Sequence, residues 1–451
     1  MSSASSASPS LPSSTTGFHK VGLLPLVFLF YAYTTGGPFG YEGIFSRSGP
    51  GMALLFLLFV PLLWSIPMSL AAAELNSILP VEGGFYRWVR AAFGDFWGFQ
   101  AGWWNWTGTF LLNASYGVLF ADYLAGYVPG LEGVWKWLCG IAFLWLLAYA
   151  NIRGIQVAGW IAVALQLAIL VPVAWLCLAA LLEWRGNPFV PLVPPGKEFV
   201  GVFGAGLALA MWNYAGYEQL SSVAEEVKDP QRTYVRALAL MTPMAVLTYV
   251  LPCGLALAAL GNWSEWTTGY LVPAARAIGG PALGAALLVA SIVAIASLSN
   301  STILSTTRLP FAMAQDGYLP RWLAAIHPRY GTPVRAIVLS TIIYSLLAAT
   351  NVVNLVVIYI WTRIATSLLT LFSAAQMRRK WPEAERGFLI PGGRLGLLYV
   401  TLFPAILCGV ALYYSDPVAI RYGPWLLAAG PAVYLVARAF RREPTSPPPS
   451  A

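Results

Sequence analysis

Runs of twenty or so predominantly apolar residues recur along this chain, and few folds can accommodate them. A helix that crosses the hydrocarbon core of a bilayer needs about 20 such residues. Twelve runs are of that order, at about 20–46, 52–79, 95–128, 134–151, 155–183, 199–224, 235–260, 280–308, 332–350, 352–378, 394–414 and 423–440. In lipid every backbone N–H and C=O must be paired within the protein, so the runs predict α-helices rather than open strands or loops. Composition agrees. Charged residues make up 10% of the 451, where a soluble domain carries roughly 25%, too few to cover an aqueous surface. The expected fold is an all-α polytopic membrane protein of about twelve transmembrane helices.

Lys and Arg set the orientation. With the N-terminus cytoplasmic, nineteen of the 26 fall on the cytoplasmic side and six on the other: Arg47, Lys136, Arg185, Lys197, Arg276 and Arg421. Only Arg363 lies inside a span. This is the positive-inside pattern, and it predicts an integral protein of the plasma or inner membrane with both termini in the cytoplasm. The first run follows a Ser/Pro tail, residues 1–16, without a basic residue, and it has no small-residue cleavage site; it reads as a retained helix rather than a signal peptide. The net charge of +8 is spread over many short loops, which argues against a nucleic-acid partner. Cys139, Cys177, Cys253 and Cys408 lie in apolar runs without metal-ligand spacing, and His19 and His327 sit at the membrane margin, so neither a metal nor another cofactor is expected.

Two runs are interrupted. Thr34-Thr35-Gly36-Gly37-Pro38-Phe39-Gly40 breaks the first, and Asn213-Tyr214-Ala215-Gly216-Tyr217-Glu218 breaks the sixth. Pro38 removes a backbone donor and the glycines disfavour helix. Irregular backbone at membrane depth survives only where protein buries it or where it lines a cavity. Isolated prolines such as Pro61, Pro67, Pro172, Pro243, Pro252 and Pro404 mark no more than kinks. Two broken helices at corresponding places, each followed by a carboxylate (Glu42 and Glu218), instead point to inverted five-helix repeats with a binding site at the midplane. The acids suit an ammonium group, and free half-helix N-termini suit a carboxylate. Trp103, Trp104, Trp106, Tyr116, Trp212, Tyr214 and Tyr217 could supply a cation–π cage, although packing accounts for most of them. Substrate contacts are therefore expected from Thr35, Gly36, Gly37, Pro38, Phe39, Gly40, Glu42, Trp104, Trp212, Asn213, Tyr214, Ala215, Gly216, Tyr217 and Glu218.

Four stretches resemble the amino acid–polyamine–organocation superfamily. Gly36-Gly37-Pro38-Phe39-Gly40-Tyr41-Glu42 is similar to the first-helix motif of the plant polyamine uptake carriers and their bacterial relatives. Ala73-Glu74-Leu75, Pro80, Gly83-Gly84, Tyr86-Arg87-Trp88-Val89 and Phe99…Gly102-Trp103 match the signature from the second helix to the third. Gly216-Tyr217-Glu218 with Glu226-Val227-Lys228-Asp229-Pro230 resembles the sixth-helix break. Arg308…Asp316-Gly317-Tyr318-Leu319-Pro320 and Thr332-Pro333 resemble the loop after helix eight. The matches lie in order across about 20–400. The resemblance implies a ten-helix inverted-repeat core (17–379), two peripheral helices (380–441) and terminal tails (1–16 and the Pro-rich 442–451), working by alternating access on amino acids, with polyamines as the alternative substrate.

Departures from the family pattern bear on coupling. Some proton-coupled relatives carry a lysine in the fifth helix, and Ile155–Leu182 contains no Lys or Arg. Ser297, Ser299 and Asn300 occupy the part of the eighth helix where sodium-coupled relatives place ion ligands, yet such residues more often bond a neighbouring helix. The acids at the breaks favour protons over sodium. Arg363 is foreign to a polycation carrier, and it is expected to pair with Glu218. Glu74, Glu82, Glu225 and Glu226 read as gating or structural acids that pair with loop arginines such as Arg87, Arg90 or Arg153. A channel would need a polar ring and an enzyme a catalytic constellation, and the chain shows neither.

Overall fold

A computed structural model describes residues 20–439 apart from 126–127, 268, 350–351 and 415–416; both predicted tails lie outside the described residues or nearly so. The helices are α1 (Leu23–Thr34), α2 (Gly43–Ser48), α3 (Pro50–Val60), α4 (Ile66–Ile78), α5 (Phe85–Phe93), α6 (Asp95–Ala125), α7 (Gly133–Ile152), α8 (Ile155–Leu182), α9 (Phe199–Asn213), α10 (Pro230–Leu260), α11 (Leu271–Thr306), α12 (Arg308–Gln315), α13 (Val334–Leu347), α14 (Val352–Lys380), α15 (Gly393–Tyr413) and α16 (Pro417–Ala439). Six segments are long and apolar enough to cross a bilayer on those grounds alone: Pro50–Ile78, Gly133–Ile152, Ile155–Leu182, Pro230–Leu260, Leu271–Gln315 and Gly393–Tyr413. No named strand occurs among the described residues; a lone bridge joins Val21 to Val227.

Both predicted interruptions exist. The first run is helical to Thr34, irregular to Glu42 and helical again from Gly43. The sixth is helical through Asn213, irregular over Tyr214–Glu218, and continues as a 3₁₀ segment, Gln219–Glu226. Asn213 is thus the last helical residue and not part of the break, because its side chain caps the helix by donating from Nδ2 to the Leu209 carbonyl (2.9 Å). The eighth run also begins earlier than its apolar stretch, at Leu271, and bends at Gly280, where φ is +81°.

The second run shows how the chain accommodates its prolines. In an α-helix the carbonyl of Leu57 would accept from residue 61, which is Pro61 and has no N–H. The Tyr214 hydroxyl supplies the missing donor at 2.8 Å. Beyond it, Pro61–Ser65 forms a π turn. There the Leu62 carbonyl would look to residue 67, again a proline, and the Tyr399 hydroxyl donates to it instead. These tyrosines pin α9 and α15 to the second run. Tyr214→Phe is expected to lower stability by about 1–3 kcal/mol, the cost of a buried acceptor left without a partner. Thermal unfolding in detergent measures it, and an unchanged midpoint would mean that the Leu57 carbonyl finds another donor.

The face that carries Val21 and Val227 is rich in arginine and forms the basic end of the molecule. There the Tyr86 hydroxyl donates to Asp316 (2.7 Å), Arg90 Nη1 lies 2.9 Å from the same carboxylate and Arg87 Nε 3.6 Å. The Tyr-Arg-Trp stretch of α5 and the Asp-Gly-Tyr turn after α12, far apart in sequence, therefore form one ion-paired cluster. At the opposite end, the N-terminal N–H groups of Gly51 and Met52 are met by the carbonyls of Pro191 (3.2 Å) and Leu192 (3.0 Å) from the loop before α9. That loop satisfies donors the helix cannot satisfy itself.

Candidate functional site

The two breaks lie against each other. A Cβ on Gly216, whose φ is +125°, would sit 2.6 Å from Cδ1 of Tyr33 in α1, so only glycine fits both the backbone and the neighbour. Tyr249 of α10 joins them: its hydroxyl donates to the Asn213 carbonyl (3.0 Å) and lies 3.3 and 3.4 Å from the carbonyls of Thr35 and Thr34. Both α1 and α9 thus end with their carbonyls at one point, where the helix dipoles place partial negative charge. Tyr41 donates to the Tyr249 carbonyl (2.8 Å) and steadies that post from the far side of the first break.

Beyond this point lies an ion pair. Arg363 Nη2 of α14 is 2.5 Å from Glu218 Oε1; both residues are buried. Gln219 Nε2 donates to the same oxygen (3.0 Å), and the Tyr33 hydroxyl donates to Gln219 Oε1 (3.3 Å). Tyr33 and Tyr359 flank the pair, and Tyr116 of α6 lies beside Tyr359. Neither partner is fully used. Among the described residues, Glu218 Oε2 and the Nε, Nη1 and Nη2 groups of Arg363 have no hydrogen-bond partner, Nη2 meeting Glu218 through the ion-pair contact alone. A guanidinium presents five donors in a rigid fork, so this centre retains both acceptor and donor capacity in a buried setting.

Other predicted residues fall into different surroundings. Thr35 bonds the carbonyl of Tyr31 (3.1 Å), which closes α1. Gly36 and Gly37 pack against Leu298 and Ile169, Pro38 is buried, and Phe39 and Ala215 are half-buried. Glu42 does not reach the ion pair. Its Oε2 accepts from the Gly40 N–H (2.9 Å), and it lines a separate cavity of about 220 Å³ with Phe39, Gly269, Val272, Pro273, Leu288 and Ser291. The sequence groups the two acids because each follows a break, but the breaks run in opposite directions and carry their acids apart. Tyr217 is buried beneath Tyr234, whose hydroxyl donates to its carbonyl (3.3 Å). The Trp212 side chain lies outside the described part of the structure.

Three groups of predicted residues have partners away from the ion pair. Trp104 donates from Nε1 to the Leu427 carbonyl of α16 (2.9 Å), so it packs the third run on the last helix. Ser297 accepts from Gln166 Nε2 (2.6 Å), and Asn300 joins Asn151 (3.1 Å) and the Ala158 carbonyl (3.1 Å), so both tie α11 to α7 and α8. Ser299 is buried with its hydroxyl unpartnered. Glu74 pairs with none of Arg87, Arg90 and Arg153; Arg378 grips it through two bonds (2.7 and 2.5 Å), and the Ile390 N–H adds a third (2.8 Å). Glu226 likewise takes Arg308 (2.8 and 3.3 Å), while Arg153 stays at the surface against Tyr149. Sequence patterns also give no warning of Tyr33, Tyr249 and Tyr359, because a lone tyrosine in an apolar run carries no sign of which partner it will meet.

The two interrupted helices thus meet beside a buried charge pair, and further ion pairs cluster at one end of the molecule. The sequence profile of the amino acid permease family matches residues 25–434. The chain belongs to this family. An Arabidopsis thaliana relative described as a "Probable polyamine transporter" is 33% identical over 416 residues, 90% of this permease and 82% of the relative. The polyamine transporter PUT1 of Oryza sativa subsp. japonica is 32% identical over 415 residues, covering 90% and 75% of the two chains. An uncharacterized transporter of Mycobacterium tuberculosis is 29% identical over 337 residues, 73% of this permease and 74% of the relative. The permease is an integral membrane transporter.

Proposed function

We propose that the permease carries amino acids by alternating access, with the ammonium group held near Glu218 and the half-helix carbonyls and the carboxylate held by Arg363. One observation carries this reading: the buried Arg363–Glu218 pair keeps unpartnered N–H groups on one member and an unpartnered oxygen on the other. A buried polar group without a partner is costly. A zwitterion supplies the acceptor and the donor together, whereas a polyamine supplies donors alone and would leave the Arg363 fork empty. Protons are the proposed coupling ion. Ser297 and Asn300 are committed to helix–helix bonds while the Ser299 and Ser301 hydroxyls are not, so the preference for protons rests on the acids that follow the two breaks. The basic end is assigned to the cytoplasm, the ten helical segments through residue 379 to the moving core, and α15 and α16 to its periphery.

A second reading, polyamine uptake, is favoured by what the relatives are called. In it Arg363 is neutralised by Glu218, and Glu42 with the tyrosines receives the second amine. Reconstitution into proteoliposomes with labelled amino acids and polyamines, with and without a proton or sodium gradient, separates the two. Saturable, counterflow-competent uptake of an amino acid that polyamines fail to compete is the expected outcome. Uptake of putrescine or spermidine alone would reverse the assignment, and non-saturating flux would make the protein a channel.

A further inference from the structure

Glu82 lies in the turn between α4 and α5 and is 1% exposed. That turn is zipped onto the 3₁₀ segment Gln219–Glu226. The Gly83 N–H donates to the Ser222 carbonyl (3.1 Å), the Phe85 N–H to Ser221 Oγ (3.0 Å), and the Glu82 N–H to Glu225 Oε1 (3.0 Å). At Gly84, with φ +36°, a Cβ would come within 2.3 Å of the Ser221 carbonyl carbon, so backbone rests on backbone. Within this buried contact both carboxyl oxygens of Glu82 lack a hydrogen-bond partner among the described residues.

The charged groups that face Glu82 are Glu225 and Glu226 from the 3₁₀ segment, Arg308 from α12 and Arg87 from α5. Arg308 is engaged by Glu226 (2.8 and 3.3 Å), and Arg87 by Gln315 (2.8 Å) and Asp316 (3.6 Å). Three carboxyl groups thus meet where both cations are committed to other partners. An ionised Glu82 would suffer desolvation and the repulsion of two like charges, whereas a neutral carboxyl would suffer neither.

We propose that Glu82 is a proton-binding site of the permease, occupied while the α4–α5 turn is docked on the 219–226 segment and emptied when the two part and water enters. The proposal rests on the transporter reading above and assigns the proton to the basic end instead of the central pair, where Glu218 already has Arg363. Burial, then Glu226 and Glu225, push the Glu82 carboxyl well above the usual carboxylate range, against a smaller opposite pull from Arg308 and Arg87. The sign follows. The acid is raised in the docked state and ordinary in the open one. Docking is therefore fully favoured below the ordinary carboxylate range and loses ground as pH climbs through the raised value.

The test uses the purified full chain in two measurements. Infrared difference titration should show protonated buried carboxylic acid near neutral pH, with a component of the carbonyl band that is lost in Glu82→Gln and retained in Glu42→Gln and Glu218→Gln, the other buried acids at the breaks. In proteoliposomes, the counterflow rate of wild type should vary with pH, and Glu82→Gln should flatten that profile while keeping exchange. Glu225→Gln preserves the acceptor for the Glu82 N–H and removes one like charge, so it should move the midpoint about one unit toward acid. A carbonyl band undiminished in Glu82→Gln, or a wild-type pH profile in that variant, overturns the proposal. Should Glu82→Gln fail to fold, an unmoved midpoint in Glu225→Gln overturns it equally. The infrared titration needs no substrate, so its outcome holds even where the substrate assignment is mistaken.

Discussion

Arg363→Gln is expected to abolish uptake and to lower stability by about 3–5 kcal/mol, because it leaves Glu218 as an uncompensated buried charge. Glu218 is 0% exposed and has no other cation within ion-pairing distance among the described residues. Glu218→Gln should be nearly as damaging, since it strands the guanidinium instead. The double variant Arg363→Gln with Glu218→Gln separates structure from function. With both charges gone, the desolvation penalty goes with them, and thermal stability should return close to wild type. Transport should not return, because neither the carboxylate fork nor the ammonium acceptor survives. Uptake and unfolding midpoints measured on the same three preparations decide the matter. A stable double variant that still concentrates amino acids would reduce the pair to helix packing and remove the centre of the proposed site.

Arg308→Gln should be comparably severe, for a different reason. Arg308 is 0% exposed and Glu226 1%, and the two exchange paired hydrogen bonds between α12 and the 3₁₀ segment. Removing the guanidinium leaves Glu226 beside Glu82 and Glu225 without its ion-pair partner, a loss of about 3–5 kcal/mol. The deficit should be larger at alkaline than at acid pH, because protons relieve the crowded carboxylates. Arg308→Gln combined with Glu226→Gln should recover most of the stability. The readout is the unfolding midpoint across a pH series. A deficit independent of pH would mean that Arg308 acts by packing alone.

These two pairs differ in how visible they are beforehand. Arg363 is conspicuous because it is the one cation inside an apolar run, and a charge at that depth demands a partner. Glu218, the acid after the other break, is the natural choice, and it is the partner found. Arg308 stands at the end of the eighth apolar run, near the loops where several acids and several arginines offer equivalent pairings. Charge alone gives Glu74 and Glu226 no preference between Arg87, Arg90, Arg153, Arg308 and Arg378, and the nearest in sequence are not the ones that pair. Trp104 illustrates the same limit for aromatics. Its position between Trp103 and Trp106 suggests a cage, but the helix face it occupies is turned toward α16.

What the sequence determines by itself is whatever local chemistry enforces. Apolar length and the scarcity of charge dictate membrane helices, since an unpaired backbone group in lipid is too costly to tolerate. Pro38 and the surrounding glycines, like Gly216 in the sixth run, dictate where two of those helices stop, through a missing donor and conformational freedom. The tertiary structure decides what depends on the rotation and tilt of one helix against another. It brings Tyr214 under the Leu57 carbonyl, sets Tyr249 among three carbonyl oxygens, carries Glu42 away from Glu218, and leaves Glu82 buried between two acids. A helix places its side chains around a full circle, so spacing along the chain gives the face but not the neighbour. Only packing selects which face meets which, and with it which buried polar groups remain unpartnered.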